Sequence, residues 1–261
     1  MAVYTCIEMI RDCRTGKAEG WQYFVRTFAP ALLAMVRHYS GRDAPEHLRT
    51  VLAGLPVQGP AVFTVDALVG ERDLMASMRP AVLAATAWGS APPEIELELD
   101  TLAEALEPLT VVERQLVWLD AMGYEPAEAA VIMRVSAQTA EKVREKAAEL
   151  LRAKLDGWNQ SIVRGNGAAL QQEAASRKPE HPVGARDCFD ILDGRITWQQ
   201  RTNTERQLAA SWYEIDHFCR LREADHMLRT AAPLADLEAE EALSILGVVK
   251  RKPPMWKRLF G

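Results

Sequence analysis

Residues 109–155, LTVVERQLVWLDAMGYEPAEAAVIMRVSAQTAEKVREKAAELLRAKL, restrict the fold more than any other stretch. Leu109, Val112, Leu116 and Leu119 recur at helical spacing, so they share one face. Thr110, with Glu113 three residues on, forms a capping box that starts this helix. Gly123 ends it. Pro126 suits the first turn of a second helix, whose inner face is Ala129, Ala130 and Met133. Ser136 caps a third helix, with Ala140, Val143, Ala147, Leu150 and Leu151 inside. Two short helices, a tight turn and a longer third helix read as a helix-turn-helix, with the recognition-helix position beginning near Ser136.

The rest of the chain is of the same kind. Period-two alternation is almost absent, and Ala, Leu, Glu and Arg dominate, so an all-α fold of several small helical domains is expected. At 261 residues one to three domains fit, and a hydrophobic content of 48% is ample for their cores. The net charge of −5 is unusual for a nucleic-acid binder, although charge is segregated along the chain. Glu94, Glu96, Glu98 and Asp100 make an acidic run, whereas Lys250, Arg251, Lys252, Lys257 and Arg258 make a basic tail with Trp256, Leu259 and Phe260. Such a tail suits a partner groove, a nucleic acid, a membrane surface or its own protein.

Cys6, Cys13, Cys188 and Cys219 are too few and too scattered for a disulfide framework. No segment approaches the ~18 apolar residues of a membrane span. Glu8, Arg11, Asp12 and Arg14 interrupt any signal-peptide core, so a cytoplasmic protein with reduced thiols and no membrane attachment is expected.

In chain order, 1–90 reads as a first helical domain. Cys6–Cys13 is a short helix broken at Thr15-Gly16-Lys17. Trp21, Phe24, Val25, Phe28, Leu32, Met35, Val36 and Tyr39 then recur at three and four, with Pro30 kinking the helix or opening a new one. Gly54 to Pro60 reads as a punctuated loop, and Glu71–Ala87 as one further helix. Residues 91–108, with Ala91-Pro92-Pro93 and the acidic run, read as a linker; 109–158 is the helix-turn-helix; and 159–182, rich in Gly, Asn, Gln and Ser, reads as flexible. Residues 183–231 form a third helical unit. It comprises Cys188–Leu192, an Asp193-Gly194 turn and one long helix over Thr204–Leu228, packed through Trp198, Leu208, Trp212, Ile215, Phe218, Cys219 and Leu221. Residues 232–261 supply an amphipathic helix over Pro233–Gly247 and the basic tail.

Several of these stretches resemble one family. Leu109/Arg114, Gly123/Tyr124/Glu128/Ala129 and Val135/Ser136/Thr139 look like the fourth conserved region of bacterial RNA polymerase sigma factors of the extracytoplasmic-function group. IRDCRTGKAEGWQYFVRTFAPALLAMVRHY is similar to the opening of that family's second region. Asp43, Ala44, Glu46 and Leu48 match its polymerase-docking stretch, without the Gln-Glu pair and aromatic that complete it. Leu192-Asp193-Gly194 resembles a turn of the zinc-binding anti-sigma domain. Where that domain carries its His and two Cys, this chain has Gln207, Ser211 and Glu214, a poor set for tetrahedral zinc. His217 and Cys219 diverge by ~200° on a helix and cannot face one ion, so no metal and no cofactor is expected.

The resemblance implies a divergent sigma factor with a fused, metal-free regulatory module and two partners, core RNA polymerase and promoter DNA. Polymerase would meet Asp43, Glu46 and Leu48. DNA would meet Ser136, Gln138, Thr139, Lys142, Arg144 and Lys146, of which Gln138 suits adenine and the lysines suit phosphate or guanine. Glu141, Val143 and Glu145 depart from the basic residues usual after the Thr. They support a second reading: an adaptor that kept the fold, lost DNA binding and sequesters an anti-sigma factor or another regulatory protein. No phosphate loop, nucleophile elbow or catalytic constellation is present, His38 and His47 read as surface or satisfied core groups, and the acidic clusters read as solvated faces. Enzymatic activity is not expected.

Overall fold

The computed structural model describes residues 4–40, 43–62, 68, 70–90, 93, 95–155 and 161–248, with backbone alone at 57–62 and 161–162. Fifteen α-helices and no strand occur among the described residues, so the fold is all-α. The basic tail Lys250–Phe260 lies outside the described residues. Two compact units divide the chain: 1–86 with 227–261, and 87–226.

The first unit contains α1 (Cys6–Arg14), α2 (Ala18–Thr27), α3 (Ala29–Ser40), α4 (Ala44–Val62) and α5 (Glu71–Thr86). Thr5 starts α1 by a reciprocal cap: its N–H donates to the Glu8 carboxylate (2.7 Å) and its hydroxyl accepts the Glu8 N–H (3.2 Å). Gly16, at φ +73°, turns the chain back. A Cβ on Gly20 would lie 2.7 Å from the Cys13 nitrogen, so only glycine lets α2 approach α1 this closely. Pro30 opens α3 as its second residue, where its missing N–H has no partner to lose. The core aromatics Trp21, Phe24 and Phe28 are buried; Phe24 stacks on Phe28 with centroids 5.8 Å apart. Each such ring contributes about 2–3 kcal/mol by leaving water.

One expectation fails here. Gly54–Pro60 is no loop but part of α4, which runs on to Val62. Val51, Leu52 and Leu55 keep the buried stripe going past Gly54, and packing overrides the local signals of Gly and Pro.

The second unit contains α6 (Leu99–Ala105), α7 (Val111–Ala121), α8 (Pro126–Met133), α9 (Ala137–Arg152), α10 (Ser161–Gly165), α11 (Gly167–Ser176), α12 (Ala185–Leu192), α13 (Trp198–Ala209) and most of α14 (Trp212–Thr230). The described residues of both segments expected as linkers are packed structure. In the acidic segment Leu97, Leu99, Leu102, Ala105 and Leu106 are buried, with α6 among them. The segment expected to be flexible forms α10 and α11, burying Val163, Leu170 and Ala174. Asn166 joins the two: its amide oxygen accepts the Leu97 N–H (2.9 Å) and its amide nitrogen donates to the Ile95 carbonyl (2.7 Å). Arg177 pairs with Asp100 of the acidic run.

The single long helix expected over Thr204–Leu228 is instead two helices, broken at Ala210–Ser211. The Ser211 hydroxyl takes the Glu214 N–H (3.2 Å), the bond of an N-cap, and so begins α14 afresh. Trp198, expected in the core, is 80% exposed. The last helix, α15 (Asp236–Ile245), belongs to the first unit and ends at Gly247, φ +77°.

Candidate functional site

The triplet α7–α9 forms as its caps dictate. The Thr110 N–H donates to Glu113 (2.7 Å), and the Thr110 hydroxyl accepts the Glu113 N–H (3.3 Å). Glu128 accepts the Glu125 N–H (3.0 Å) ahead of Pro126, the first residue of α8. The Ser136 hydroxyl accepts the Thr139 N–H (3.0 Å), opening α9. Ala140, Val143, Ala147 and Leu151 are buried as expected, whereas Leu150 is half-buried.

The six residues expected to meet DNA are not equivalent. Ser136 and Thr139 are exposed, but their hydroxyls bond each other (2.7 Å) and serve the cap. Arg144 turns sideways to a small cavity of about 30 Å³ between α7, α8 and α9, and its guanidinium lies 3.9 Å from Glu141. Lys146 is bonded to Glu113 of α7 (2.8 Å). Burial alone would disfavour the Glu113 charge; the Lys146 ammonium and Thr110 bonds outweigh it and hold the carboxyl below its usual range. Gln138 and Lys142 are exposed and without a partner among the described residues. Glu141, Glu145 and Glu149 stand exposed between the cations, so the outer face of α9 is mixed in charge.

The first unit holds the other expected site. Asp43 and Glu46 are exposed at the start of α4, while Leu48 is half-buried in a notch beneath α15.

What the sequence did not signal is a set of polar ties between the triplet and α14. The Trp118 indole N–H donates to Asp216 (2.9 Å), and the Tyr124 hydroxyl donates to Glu223. The Arg134 guanidinium donates to Asp225 (2.9 Å) and to the Leu192 carbonyl that ends α12 (2.8 Å). Trp118 also packs on Trp212, centroids 5.5 Å apart. From the other side Arg164 of α10 grips the α7–α8 turn, bonding Asp120 (2.8 and 3.0 Å), Glu125 (2.6 Å) and the Tyr124 carbonyl (3.2 Å).

Glu214, Asp216, Glu223 and Asp225 are all buried, which corrects the expectation that acidic clusters here are solvated. A buried carboxylate persists only when paired or hydrogen-bonded, and three of the four have these ties. The fourth, Glu214, has its pKa raised by burial and accepts the Val183 N–H (3.0 Å).

No known family model, curated protein or solved structure matches this chain.

Of the three residues expected at metal positions from the resemblance, two have a structural task. Ser211 and Glu214 are joined by the cap bond, and Gln207 is exposed. Among the described residues no group of three or more His, Cys, Asp and Glu is placed to hold a metal. Cys188 and Cys219 are buried, with the Cys219 thiol 3.7 Å from the Gln115 carbonyl. His217 stacks on Tyr213, and burial pushes its pKa down to about 4. Among the described residues no helix is long and apolar enough to cross a membrane.

Arg134 combines two features that no motif predicts. It occupies the left-handed region, φ 58° and ψ 41°, where helices commonly end on glycine, and its side chain makes the tie to α12 and α14. A non-glycine residue at the turn between the two motif helices was the one available sequence signal.

Proposed function

We propose that this chain is a sigma-factor-like transcription regulator that binds core RNA polymerase and promoter DNA, with α12–α14 as its built-in regulator. The resemblance of α7–α9 to the sigma fourth region supplies the class. The carrying observation is the buried contact of α14 with the triplet through Trp118, Tyr124 and Arg134. Three charge-assisted bonds at buried carboxylates are an uncommon way to join two merely adjacent segments. They suit a module that holds the triplet in one state and gives it up when the acids find other partners. In this reading Gln138 and Lys142 meet base edges and phosphate, and Lys146 joins them once Glu113 releases it.

The test is capture of core RNA polymerase by the full chain, against a full-chain variant carrying Asp216→Asn, Glu223→Gln and Asp225→Asn. Stronger capture by the variant supports a self-held sigma factor, and protection of promoter DNA then maps its target.

A second reading has its own observation. Glu141, Glu145 and Glu149 separate the cations of α9, while Arg144 and Lys146 face carboxylates, so no contiguous basic face meets solvent there. That favours an adaptor that kept the helical scaffold and captures an anti-sigma factor or another regulatory protein. Failure of both forms to hold polymerase decides for the adaptor.

A further inference from the structure

The surface of the first unit carries a groove between α3 and α4, floored by Leu33, Leu48 and Leu52. Arg37 and Arg49 stand on its rim. The chain fills it with α15, a helix that carries four carboxylates, Asp236, Glu238, Glu240 and Glu241. Glu241 pairs with Arg49, which also lies 3.5 Å from Glu46.

The fit is incomplete in three respects. Within α15 only Ala242 is buried; Leu243 and Ile245 are half-buried, and Leu237 on the far side is 80% exposed. An apolar notch of about 70 Å³ remains beside Ala242, between it and Leu33, Leu48 and Leu52. Arg37 has no carboxylate partner among the described residues, because Glu238, the acid on that side, is turned back to cap the Ala235 N–H (2.9 Å). Beyond Ala242 the seat is made by half-buried Leu243 and Ile245, by Leu246 just after the helix, which is buried, and by contact with α2 as well as α4; toward Leu33, Leu48 and Leu52 the packing is incomplete.

We infer that the α3–α4 groove is a docking site for an acidic amphipathic helix of a partner protein, and that α15 is the chain's own weak occupant. The partner helix carries a residue larger than alanine at the buried position and carboxylates toward both Arg37 and Arg49. Filling the notch and pairing the second arginine make it the tighter ligand, and its binding lifts α15 off Leu48. A basic helix is excluded from the same groove by Arg37 and Arg49. Leu48 is shared with the expected polymerase contact; the peptide assay below contains no polymerase and so tests the groove separately.

The probe is a labelled synthetic peptide of residues 233–248 with Ala242→Leu, titrated into the full chain and read by fluorescence anisotropy. The larger side chain tightens binding about tenfold over the unaltered peptide. In the chain itself, Ala242→Asp puts a charge into the groove face of α15 and raises probe affinity at least tenfold over wild type. Glu241→Arg, a surface change that leaves the core alone, raises it about threefold and carries the test where Ala242→Asp fails to fold. Arg37→Glu with Arg49→Glu removes binding, and a probe with Glu238→Lys and Glu241→Lys restores it on that chain. Equal binding of a scrambled probe, no gain in Glu241→Arg, or indifference to the two arginines overturns the inference. A wild-type dimer that Arg49→Glu dissociates assigns the groove to a second copy and overturns it as well.

Discussion

Arg134 offers the sharpest quantitative test, because its backbone and its side chain act in opposite directions. At φ 58° a non-glycine residue is strained by about 1 kcal/mol. Its guanidinium meanwhile bonds Asp225, whose side chain is only 4% exposed, and the Leu192 carbonyl. Truncation strips a buried carboxylate of a cation and a helix end of a donor. Full burial of an unpaired charge costs about 3–5 kcal/mol; Arg134 is itself 42% exposed, so about 2–3 kcal/mol is the better figure. Arg134→Ala loses this and keeps the strain. Arg134→Gly loses it and relieves about 1 kcal/mol, leaving a net loss of about 1–2 kcal/mol. Glycine is therefore the milder substitution, the reverse of the order in a helix interior. Urea unfolding followed by tryptophan fluorescence reads the difference, since Trp118 and Trp212 pack against each other in the same unit. A double-mutant cycle of Arg134→Ala with Asp225→Asn should return a coupling of about 1.5–2.5 kcal/mol. Glycine destabilising as much as alanine, or a coupling near zero, would refute the account of this turn.

Other expectations follow from the same contacts. His217 is held neutral, chiefly by burial, with Arg220 and Lys178 adding to it and Asp216 opposing. The unfolded chain takes up this proton below about pH 6.5, the folded chain only near 4, so stability present above 6.5 is lost as pH falls, by at most about 3 kcal/mol. His217→Gln should flatten thermal midpoints across that window; an unchanged slope would count against the burial. Gly167→Ala places a methyl 2.1 Å from the Ala121 carbonyl and should destabilise the second unit by more than about 2 kcal/mol in the same urea assay. Burial pushes the Cys6 thiol up to about 11 and the Cys13 thiol to about 12, so neither should react with an aromatic disulfide reagent at pH 8 until the chain unfolds. If α9 meets DNA, Lys142→Glu should reduce the salt slope of binding by about one phosphate contact; an unchanged slope points to the adaptor.

The triplet was legible because its information is local. Thr110 with Glu113, Pro126 and Ser136 mark helix starts within four residues of the backbone groups they serve, and the apolar spacing gives the inner faces directly. The break before α14 was missed because Ser211 also reads as a neutral surface residue; only its bond to the Glu214 N–H makes it a cap. Asn166 between Gly165 and Gly167 has the composition of a linker. Its side-chain amide nevertheless acts as a backbone substitute for Ile95 and Leu97, about 70 residues away, and no spacing rule records a partner at that distance.

The buried acids of α14 show why the remainder was not legible. Composition treats a carboxylate as solvated, and for Asp216, Glu223 and Asp225 that prior is reversed by Trp118, Tyr124 and Arg134, each 91–99 residues earlier. Each donor reads as ordinary alone: an aromatic of the core, a tyrosine after a helix-ending glycine, an arginine in a turn. The groove under α15 inverts the lesson. There the sequence shows an amphipathic acidic helix, and only the structure shows that opposite Leu33, Leu48 and Leu52 its buried residue is an alanine, which leaves a notch. Ties that are buried and charge-assisted hold α14, whereas α15 is held by partly buried apolar side chains and an exposed ion pair. Of the two, α15 is the element that modest binding energy can move.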